Sequence, residues 1–284
     1  MIIINLGLVC MRKGRGFKKG FVGKTAVQSA DKSIKRKKLL KASLYNLHET
    51  ISNIEYCINN NIYNYRISSN IIPFDDFWEW QSEPQILALM KKISQYDISL
   101  TIHPSQYTVL NSNNPSVVSN SIDILSHHYN LCKLMGIQHI ILHTGGIYGD
   151  KKASMLRFVE NYNKLPTKIQ QLIRLENCHY YDIDDIISIN SLCNVDICFD
   201  LHHERVINGT QTLQQYVDKL TTVDDINNNQ TVCHISSGKS TTHDNYISND
   251  DMQLFQQVFD GFNCIVEVEA KYKDLAIEKI QKRI

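Results

Sequence analysis

The segment Ile98-Ser99-Leu100-Thr101-Ile102-His103 is a short β-branched run that ends on a potential metal ligand, and this pattern recurs along the chain. Eight such runs predict β-strands. They are Ile2–Val9, Ile62–Ile67, Ile98–His103, His139–His143, Ile173–Glu176, Val195–Asp200, Val232–Ile235 and Cys264–Glu269. Amphipathic stretches alternate with them, which predicts an α/β protein built as a single parallel (β/α)8 or TIM barrel. An open doubly wound sheet is the alternative, but the chain lacks a Gly-x-Gly-x-x-Gly phosphate loop.

The predicted helices fill the intervals between these strands. They are Ile34–Asn59, Pro84–Gln95, Pro115–Met135, Asp182–Leu192, Leu213–Leu220, Asp250–Phe259 and Asp274–Lys282. No Pro-, Gly- or Ser-rich linker divides the chain, so we expect residues 1–284 to form one domain. Glycines at positions 14, 16, 20 and 23 predict a long first βα loop at about residues 12–32.

The charge of the chain is balanced in total but unevenly distributed. Thirty basic and 29 acidic residues give a net charge of +1, which excludes a bulk polycation. Twelve of the basic residues lie between Arg12 and Lys41, where Asp31 is the one acid. The remainder carries 30−12 = 18 basic and 29−1 = 28 acidic residues, a net charge of −10. This asymmetry predicts contact with a polyanion at one place and with cations at another.

The cysteines and the apolar runs indicate the compartment. The eight cysteines form no Cys-x-x-Cys pair, and several lie in apolar runs, as expected of buried thiols in a reducing compartment. Met1–Leu8 lacks the features of a signal peptide, and no stretch approaches the roughly 20 apolar residues of a membrane span. We therefore expect an intracellular protein, in the cytoplasm or in the nucleus of a eukaryotic host, with no membrane partner and as a monomer.

Six predicted strands end on or near a residue type that binds metals. Because the C-terminal ends of barrel strands meet at one face, these side chains are expected to form a single site. They are His103, His143, Glu176, Asp200 followed by His203, His234, and Glu267 with Glu269. Each has an ordinary structural interpretation, such as pairing of Glu176 with Arg174, but six coincidences at one topological position favour a metal site.

Mixed imidazole and carboxylate ligands suit zinc, manganese or iron better than calcium or magnesium. The set is larger than one tetrahedral ion requires, so it predicts a cluster of two or three divalent ions. Such clusters are typical of enzymes that attack phosphate esters in line.

Six ordered motifs resemble the UV damage endonuclease family, whose members are TIM barrels related to endonuclease IV. The motifs are His103-Pro104-Ser105-Gln106-Tyr107, His143-Thr144-Gly145-Gly146-Ile147-Tyr148-Gly149, Leu175-Glu176-Asn177, Phe199-Asp200-Leu201-His202-His203, His234-Ile235-Ser236-Ser237 and Glu269-Ala270-Lys271. The resemblance implies cleavage of DNA immediately 5′ to cyclobutane pyrimidine dimers and 6-4 photoproducts. It also implies dependence on divalent metals, with manganese first and zinc, cobalt or magnesium as alternatives.

The same resemblance assigns residues to roles. It implies eight metal ligands: His103, His143, Glu176, Asp200, His203, His234, His243 and Glu269. Among these, Glu176 would bridge two ions and His203 and His243 would hold a third, while Glu176, Glu269 and His143 are the expected catalytic residues. Gln106 and Tyr107 match the pair that the family inserts into the duplex at the lesion.

Two positions depart from the family pattern. Many members carry a lysine two residues before the strand-7 histidine, and Val232 occupies that position here. The first strand continues into Arg12 without the aromatic residue and asparagine common in relatives, so Arg12 is expected to contact phosphate in their place.

The basic segment has three interpretations. As a DNA-binding arm it would place Arg12, Lys18 and Lys19 on phosphates beside the active face. The run Lys35-Arg36-Lys37-Lys38 could instead be a nuclear signal, or the charges could form a solvated helix face. The first interpretation is favoured, because basic residues at a helix start oppose the helix dipole unless an anion is present.

Three functions remain in competition. The first is a repair endonuclease acting on double-stranded DNA with UV lesions, or in an endonuclease IV-like variant on abasic sites. The second is a metal-dependent sugar isomerase or epimerase on the same barrel, which fold alone does not exclude. The third is a lesion-binding protein without catalysis.

Overall fold

A parallel barrel forms the centre of the protein. A computed structural model describes residues 5–15, 20, 22–23, 31–209, 211–222 and 231–283. Within them, eight strands pair in chain order and only in parallel, and the last strand pairs with the first. The strands are β1 (Asn5–Val9), β2 (Asn64–Ser68), β3 (Ser99–His103), β4 (His139–His143), β5 (Ile173–Glu176), β6 (Asp196–Asp200), β7 (Thr231–Ile235) and β8 (Cys264–Val268). The predicted TIM barrel is confirmed.

Helices surround this barrel. Those in the described part are α1 (Lys32–Asn59), α2 (Pro84–Ile93), α3 (Pro115–Met135), α4 (Lys151–Asn163), α5 (Thr167–Gln170), α6 (Ile183–Cys193), α7 (Leu201–Asn208), α8 (Leu213–Thr221), α9 (Asn249–Val258) and α10 (Lys273–Gln281). Local chemistry fixes several ends. Asn114 accepts a hydrogen bond from the Ser116 amide at the start of α3, and Gly136 ends that helix at φ 73°. Asp182 and Asp185 form a capping box at the start of α6.

Three helices were missed by the sequence analysis: α4, the four-residue α5, and α7. In α4, Ser154, Phe158 and Tyr162 are buried at four-residue spacing, and the cap is Asp150, which accepts from the Ala153 amide at 2.9 Å. In α7, by contrast, the four buried residues are consecutive, from Leu201 to Glu204, so no helical periodicity marks the segment. It forms at the end of β6 because the Asp200 side chain caps it.

Alternation along the strands positions the functional residues. One small cluster of buried apolar residues is separate from the large cluster that includes the helices. It consists of Ile141, Cys198, Val232 and Ile265. Two residues farther along the same strands, and therefore on the same face, stand His143, Asp200, His234 and Glu267. The barrel interior thus changes from an apolar layer to a polar one towards the C-terminal ends of its strands.

The state of the cysteines and the length of the helices can be compared with the expectation of an intracellular protein. All eight cysteines are free, and six of them are buried. Burial raises the pKa of the Cys57 and Cys132 thiols to about 12, which leaves them protonated at neutral pH. In the described part of the chain, no helix is long and apolar enough to cross a membrane.

The predicted basic loop lies largely outside the described residues. Of the segment 12–32, only residues 12–15, 20, 22–23 and 31–32 are described. The extent of this loop and the assignment of residues 1–284 to one domain stay predictions.

Replacing Gly145 with alanine should destabilise the protein more than the same change at Gly149. Both glycines have positive φ, of +116° and +82° respectively, so each substitution adds backbone strain. A Cβ atom on Gly145 would also lie 2.2 Å from Oδ1 of Asn111, whereas nothing lies within 4 Å at Gly149. Chemical denaturation should show a free energy of unfolding about 2 kcal/mol lower for Gly145→Ala than for Gly149→Ala. Equal losses would mean that the contact with Asn111 relaxes freely.

Candidate metal centre

Glu176 lies at the centre of a group of histidines at the C-terminal end of the barrel. Its Oε2 atom is 3.0 Å from Nε2 of His103 and 2.7 Å from Nε2 of His143. Its Oε1 atom is 2.9 Å from Nδ1 of His234 and 3.5 Å from Nδ1 of His203. The alternative pairing of Glu176 with Arg174 does not occur, because Arg174 pairs with Asp196 on β6.

The ligand-type atoms form three overlapping groups, in each of which all atoms lie within 4.8 Å of one another. The groups are His103–His143–Glu176, Glu176–Asp200–His203 and Asp200–His234–Glu269. Glu176 belongs to the first and second groups, and Asp200 belongs to the second and third. Two carboxylates are therefore placed where each could be shared between neighbouring cations.

One atom of Asp200 tests whether cations fit this site. Asp200 is fully buried, and its Oδ1 accepts a hydrogen bond of 2.8 Å from the His203 amide. Its Oδ2 is also buried but has no hydrogen-bond partner, and it lies 3.7 Å from Nδ1 of His203 and 3.8 Å from Nδ1 of His234. A buried carboxylate oxygen without a donor is costly unless a cation satisfies it. The residues present therefore fit divalent metal ions.

The protonation states follow from this crowding. Burial raises the pKa of Glu176, but the neighbouring imidazoles lower it more, so that it lies well below the ordinary value. Burial lowers the pKa of His234, yet Cys198 and Glu176 raise it well above that of a free histidine. Burial likewise lowers the pKa of His203, and Asp200 and Glu176 outweigh it, so this pKa is also raised. The neighbouring carboxylates thus favour the protonated form of both imidazoles.

A buried arginine beneath the site was missed by the sequence analysis. Arg66 on β2 is 8% exposed and donates to Glu269 and, at 2.9 Å, to Oε2 of Glu267. Glu267 also accepts from Asn64 at 3.1 Å and from Thr101. Glu267 therefore belongs to this supporting network rather than to the three ligand groups. The sequence did contain a signal for this network, because Arg66 lies inside the predicted strand Ile62–Ile67.

Glu269 is oriented by this network. Burial raises the pKa of Glu269, but Arg66 lowers it by more. The pKa therefore lies below its ordinary value, and the carboxylate stays ionised. One of its oxygens faces Arg66, and the other lies 3.6 Å from Nε2 of His243. His243 is thus near the site, although it is not a member of the three groups.

The loop that carries His243 is held by the neighbouring helix α7. Nε2 of His202 lies 2.8 Å from the Ser240 carbonyl, and Arg205 contacts the other ring nitrogen at 3.2 Å. Because an arginine can only donate, Nδ1 of His202 accepts and Nε2 donates to the loop. His202 therefore has a structural role, because it holds the loop that carries His243.

The five residues predicted to contact DNA lie in different parts of the protein. Gln106 and Tyr107 lie on the loop after β3 and line a cavity that reaches His143, and Tyr107 is 78% exposed. Arg12 lies against α1, where it donates to Asn53 and Ser52 at 2.9 Å each. Lys18 and Lys19 are outside the described residues. The DNA contacts of all five stay predictions.

Comparison with known proteins identifies relatives along the whole chain. The family model for UV-endonuclease UvdE matches residues 4–284. A UV DNA damage endonuclease of Bacillus mycoides (strain KBAB4) is 30% identical over 269 residues, which cover 89% of this chain and 85% of that protein. The crystal structure of SacUVDE superposes with a TM-score of 0.85 at 25% identity, covering 99% of each chain. Endonuclease IV from Thermus thermophilus shares the fold, with a TM-score of 0.63, 11% identity and coverage of 98% of each chain.

Replacing Glu176 with glutamine should remove metal and leave the barrel folded. The amide cannot balance the charge of two neighbouring cations, and unbalanced buried charge costs about 3–5 kcal/mol. Elemental analysis should show the loss of at least one ion per protein, with DNA nicking reduced at least a hundredfold. Glu83→Gln is the matched control, because Glu83 is also buried but pairs with Arg36 outside the site. Full metal content in Glu176→Gln would contradict the central position of this carboxylate.

Binding of manganese should release protons. The pKa values of His203 and His234 are raised in the metal-free protein, and a metal-bound imidazole must lose the proton on the nitrogen that binds. Affinity should therefore fall roughly tenfold per pH unit, for each proton displaced, as the pH drops below these raised values. Calorimetry in two buffers of different ionisation enthalpy should detect at least one proton released at pH 7, and fewer protons for His203→Asn. Binding without proton release would show that both imidazoles are already neutral.

Proposed function

The chain belongs to the UV-endonuclease UvdE family, and we propose that it is a metal-dependent endonuclease that cuts the DNA backbone immediately 5′ to UV photolesions. Cyclobutane pyrimidine dimers and 6-4 photoproducts are the proposed lesions. The observation that supports the metal dependence is the fully buried Oδ2 atom of Asp200, which lies between two histidines and accepts no hydrogen bond. Manganese is the proposed metal, with zinc, cobalt or magnesium as alternatives, at two or three ions per protein.

The exposure of the ligands indicates where the phosphate approaches. Side chains of His103, His143 and His243 are 20%, 22% and 26% exposed, whereas those of Glu176 and His234 are at most 1% exposed. The buried carboxylates would hold the ions, and the three partly exposed imidazoles would form the rim that meets the substrate.

The chemistry divides between the metal ions and the side chains. Divalent ions, when bound, polarise the scissile phosphate and activate water. Glu176 fixes the imidazoles around it, and Arg66 keeps Glu269 ionised and oriented. An ionised Glu269 beside the rim can accept a hydrogen bond from the attacking water, and His143, which is partly exposed at the rim, can help to position the phosphate. Glu176, Glu269 and His143 are therefore the proposed catalytic residues.

Lesion recognition is assigned to Gln106 and Tyr107. Their loop begins at His103, which is fixed by Glu176, and Nδ1 of His103 lies 2.8 Å from the Pro104 carbonyl. A damaged dinucleotide costs less to unstack than an intact one, and a side chain that fills the gap converts this difference into selectivity. Tyr107 supplies an exposed ring for stacking, and Gln106 supplies hydrogen-bonding groups for bases left unpaired.

The remaining basic residues are proposed to bind the phosphate backbone. Lys18 and Lys19 belong to the segment with twelve basic residues, and they would add salt-dependent affinity without lesion selectivity. Arg12 would join them only by exchanging its hydrogen bonds to α1 for phosphate. Double-stranded DNA is the proposed partner, bound by a monomer inside the cell.

A nicking assay separates this function from its alternatives. Irradiated supercoiled plasmid should be nicked with manganese and not with a chelator, and unirradiated plasmid should stay intact. Preferential nicking of depurinated plasmid would favour the endonuclease IV-like alternative. The likeness of this chain to endonuclease IV shows a shared fold and not a shared substrate. Binding of damaged DNA without nicking would indicate a non-catalytic lesion-binding protein. Turnover of sugars without any action on DNA would favour the isomerase alternative.

The double replacement Gln106→Ala plus Tyr107→Ala should reduce the preference for damaged DNA at least tenfold. Tenfold corresponds to about 1.4 kcal/mol, within the range for stacking of one base on an aromatic ring. Binding is measured on matched duplexes with and without one pyrimidine dimer, and metal content should stay unchanged. Tyr63→Ala is a control, because Tyr63 is also exposed but precedes β2 at the opposite end of the barrel. An unchanged preference in the double variant would place lesion recognition elsewhere.

A further inference from the structure

The loop that follows β7 carries His243, and two side chains of helix α7 hold this loop beside the metal centre. His202 and Arg205 stand about one helical turn apart on α7, and both contact the loop. Nε2 of His202 donates to the Ser240 carbonyl at 2.8 Å, and Arg205 donates to the Gly238 carbonyl at 3.2 Å. One face of a short helix therefore fixes two carbonyl groups of the loop.

Arg205 is itself held by a buried carboxylate. Asp251 on α9 is buried and pairs with Arg205. The same carboxylate accepts from the hydroxyl of Ser237, at the start of the loop, and at 2.7 Å from that of Ser248, which caps α9. Because these donors fix Asp251, and Asp251 fixes the guanidinium, Arg205 can orient His202 through the contact of 3.2 Å with its Nδ1.

The loop is compact, and its backbone lies directly against the His202 ring. Gly238 has φ of +154°, and an added Cβ atom there would lie 2.4 Å from the Thr242 carbonyl oxygen and 3.3 Å from Cε1 of His202. The Asp244 amide donates to the Ser237 carbonyl at 2.6 Å, which closes the segment on itself. A loop closed in this way moves as a unit, so its position depends on the side chain against which it lies.

This position decides what His243 can reach. Its Nε2 atom lies 3.6 Å from Oε2 of Glu269, and its ring centroid lies 6.4 Å from that of His203. His243 is thus close to two ligand-type side chains but just outside the three groups of ligand atoms. Apart from His203, the members of those groups lie within strands or directly after one, so they do not depend on this loop.

We propose that His202 and Arg205 are positioning residues that set the affinity of one cation of the cluster, the cation that His203 and His243 would share. The inference rests on the proposed function, which supplies a cluster of up to three divalent ions. Loss of a residue that orients a metal ligand costs about 10–100-fold in metal affinity. Disruption of His202 or Arg205 should therefore weaken the binding of one ion and leave the others unchanged.

The test measures the manganese that the full chain retains. The manganese-loaded protein is dialysed against decreasing manganese concentrations, and elemental analysis gives the ions bound per protein. His202→Leu removes both hydrogen bonds of the imidazole, whereas the amide nitrogen of His202→Gln can still donate to the Ser240 carbonyl. Arg205→Lys keeps a positive charge for Asp251 but lacks the second nitrogen that reaches the loop. His139→Leu is the matched control, because His139 is a half-buried histidine at the start of β4, at the opposite end of the barrel from the ligands.

The parent should retain three ions. In His202→Leu and Arg205→Lys, one ion should be lost at a manganese concentration at least tenfold higher than in the parent, and the other two should change less than twofold. His202→Gln should stay within threefold of the parent, and His139→Leu should match it. Added manganese should restore nicking of irradiated plasmid by His202→Leu, which it would not do for a damaged fold.

A double variant tests whether His202 acts through His243. In a His243→Ala background, His202→Leu should cause no further loss of manganese at any concentration, because the side chain that it positions is already absent. A further loss, an equal weakening of all ions in His202→Leu, or a parent that retains only two ions would overturn the proposal. If the parent binds three ions but does not nick irradiated plasmid, the proposed function fails and the positioning role stands.

Discussion

Two carboxylates buried at one end of the barrel, Glu176 and Asp200, impose the constraint on which the site depends. Each is at most 1% exposed, and an ionised carboxylate in such a place needs positive charge around it. The chain supplies four imidazoles within 4 Å of Glu176 or Asp200. The same arrangement that makes the site costly without cations suits it to hold them, because the carboxylates are already fixed in position.

The layer beneath the site explains how the barrel tolerates this charge. Among the described lysines and arginines, only Arg66 is buried, and it lies against Glu267 and Glu269. Val232 on β7, which departs from the pattern of the resembled family, packs in the apolar layer. In this chain, the buried guanidinium therefore comes from β2, and it supports Glu267 and Glu269 from one side while the histidines surround Glu176 and Asp200.

The ends of the regular elements agree closely with what the sequence indicates. Each described strand boundary lies within two residues of the predicted one, apart from the start of β1, because β-branched runs are bounded by polar or turn residues. Helix α7 was missed because it has no helical periodicity and depends on a cap from Asp200. Strand ends predicted the ligand types at His103, His143 and Glu176, since parallel strands bring such ends to one face.

The sequence by itself determined the barrel, the positions of the ligand types along each strand and the resemblance to a family of repair endonucleases. These follow from local periodicity and from motifs that stand within a few residues of one another. Only the tertiary structure decided that Glu176 faces His234 across 58 positions of sequence and that Arg66 on β2 pairs with Glu267 on β8. It also decided that Tyr107, Tyr148 and Tyr180, from three separate loops, line one cavity. Such contacts depend on closure of the barrel and on the register between strands, and neither is encoded in any short stretch of the chain.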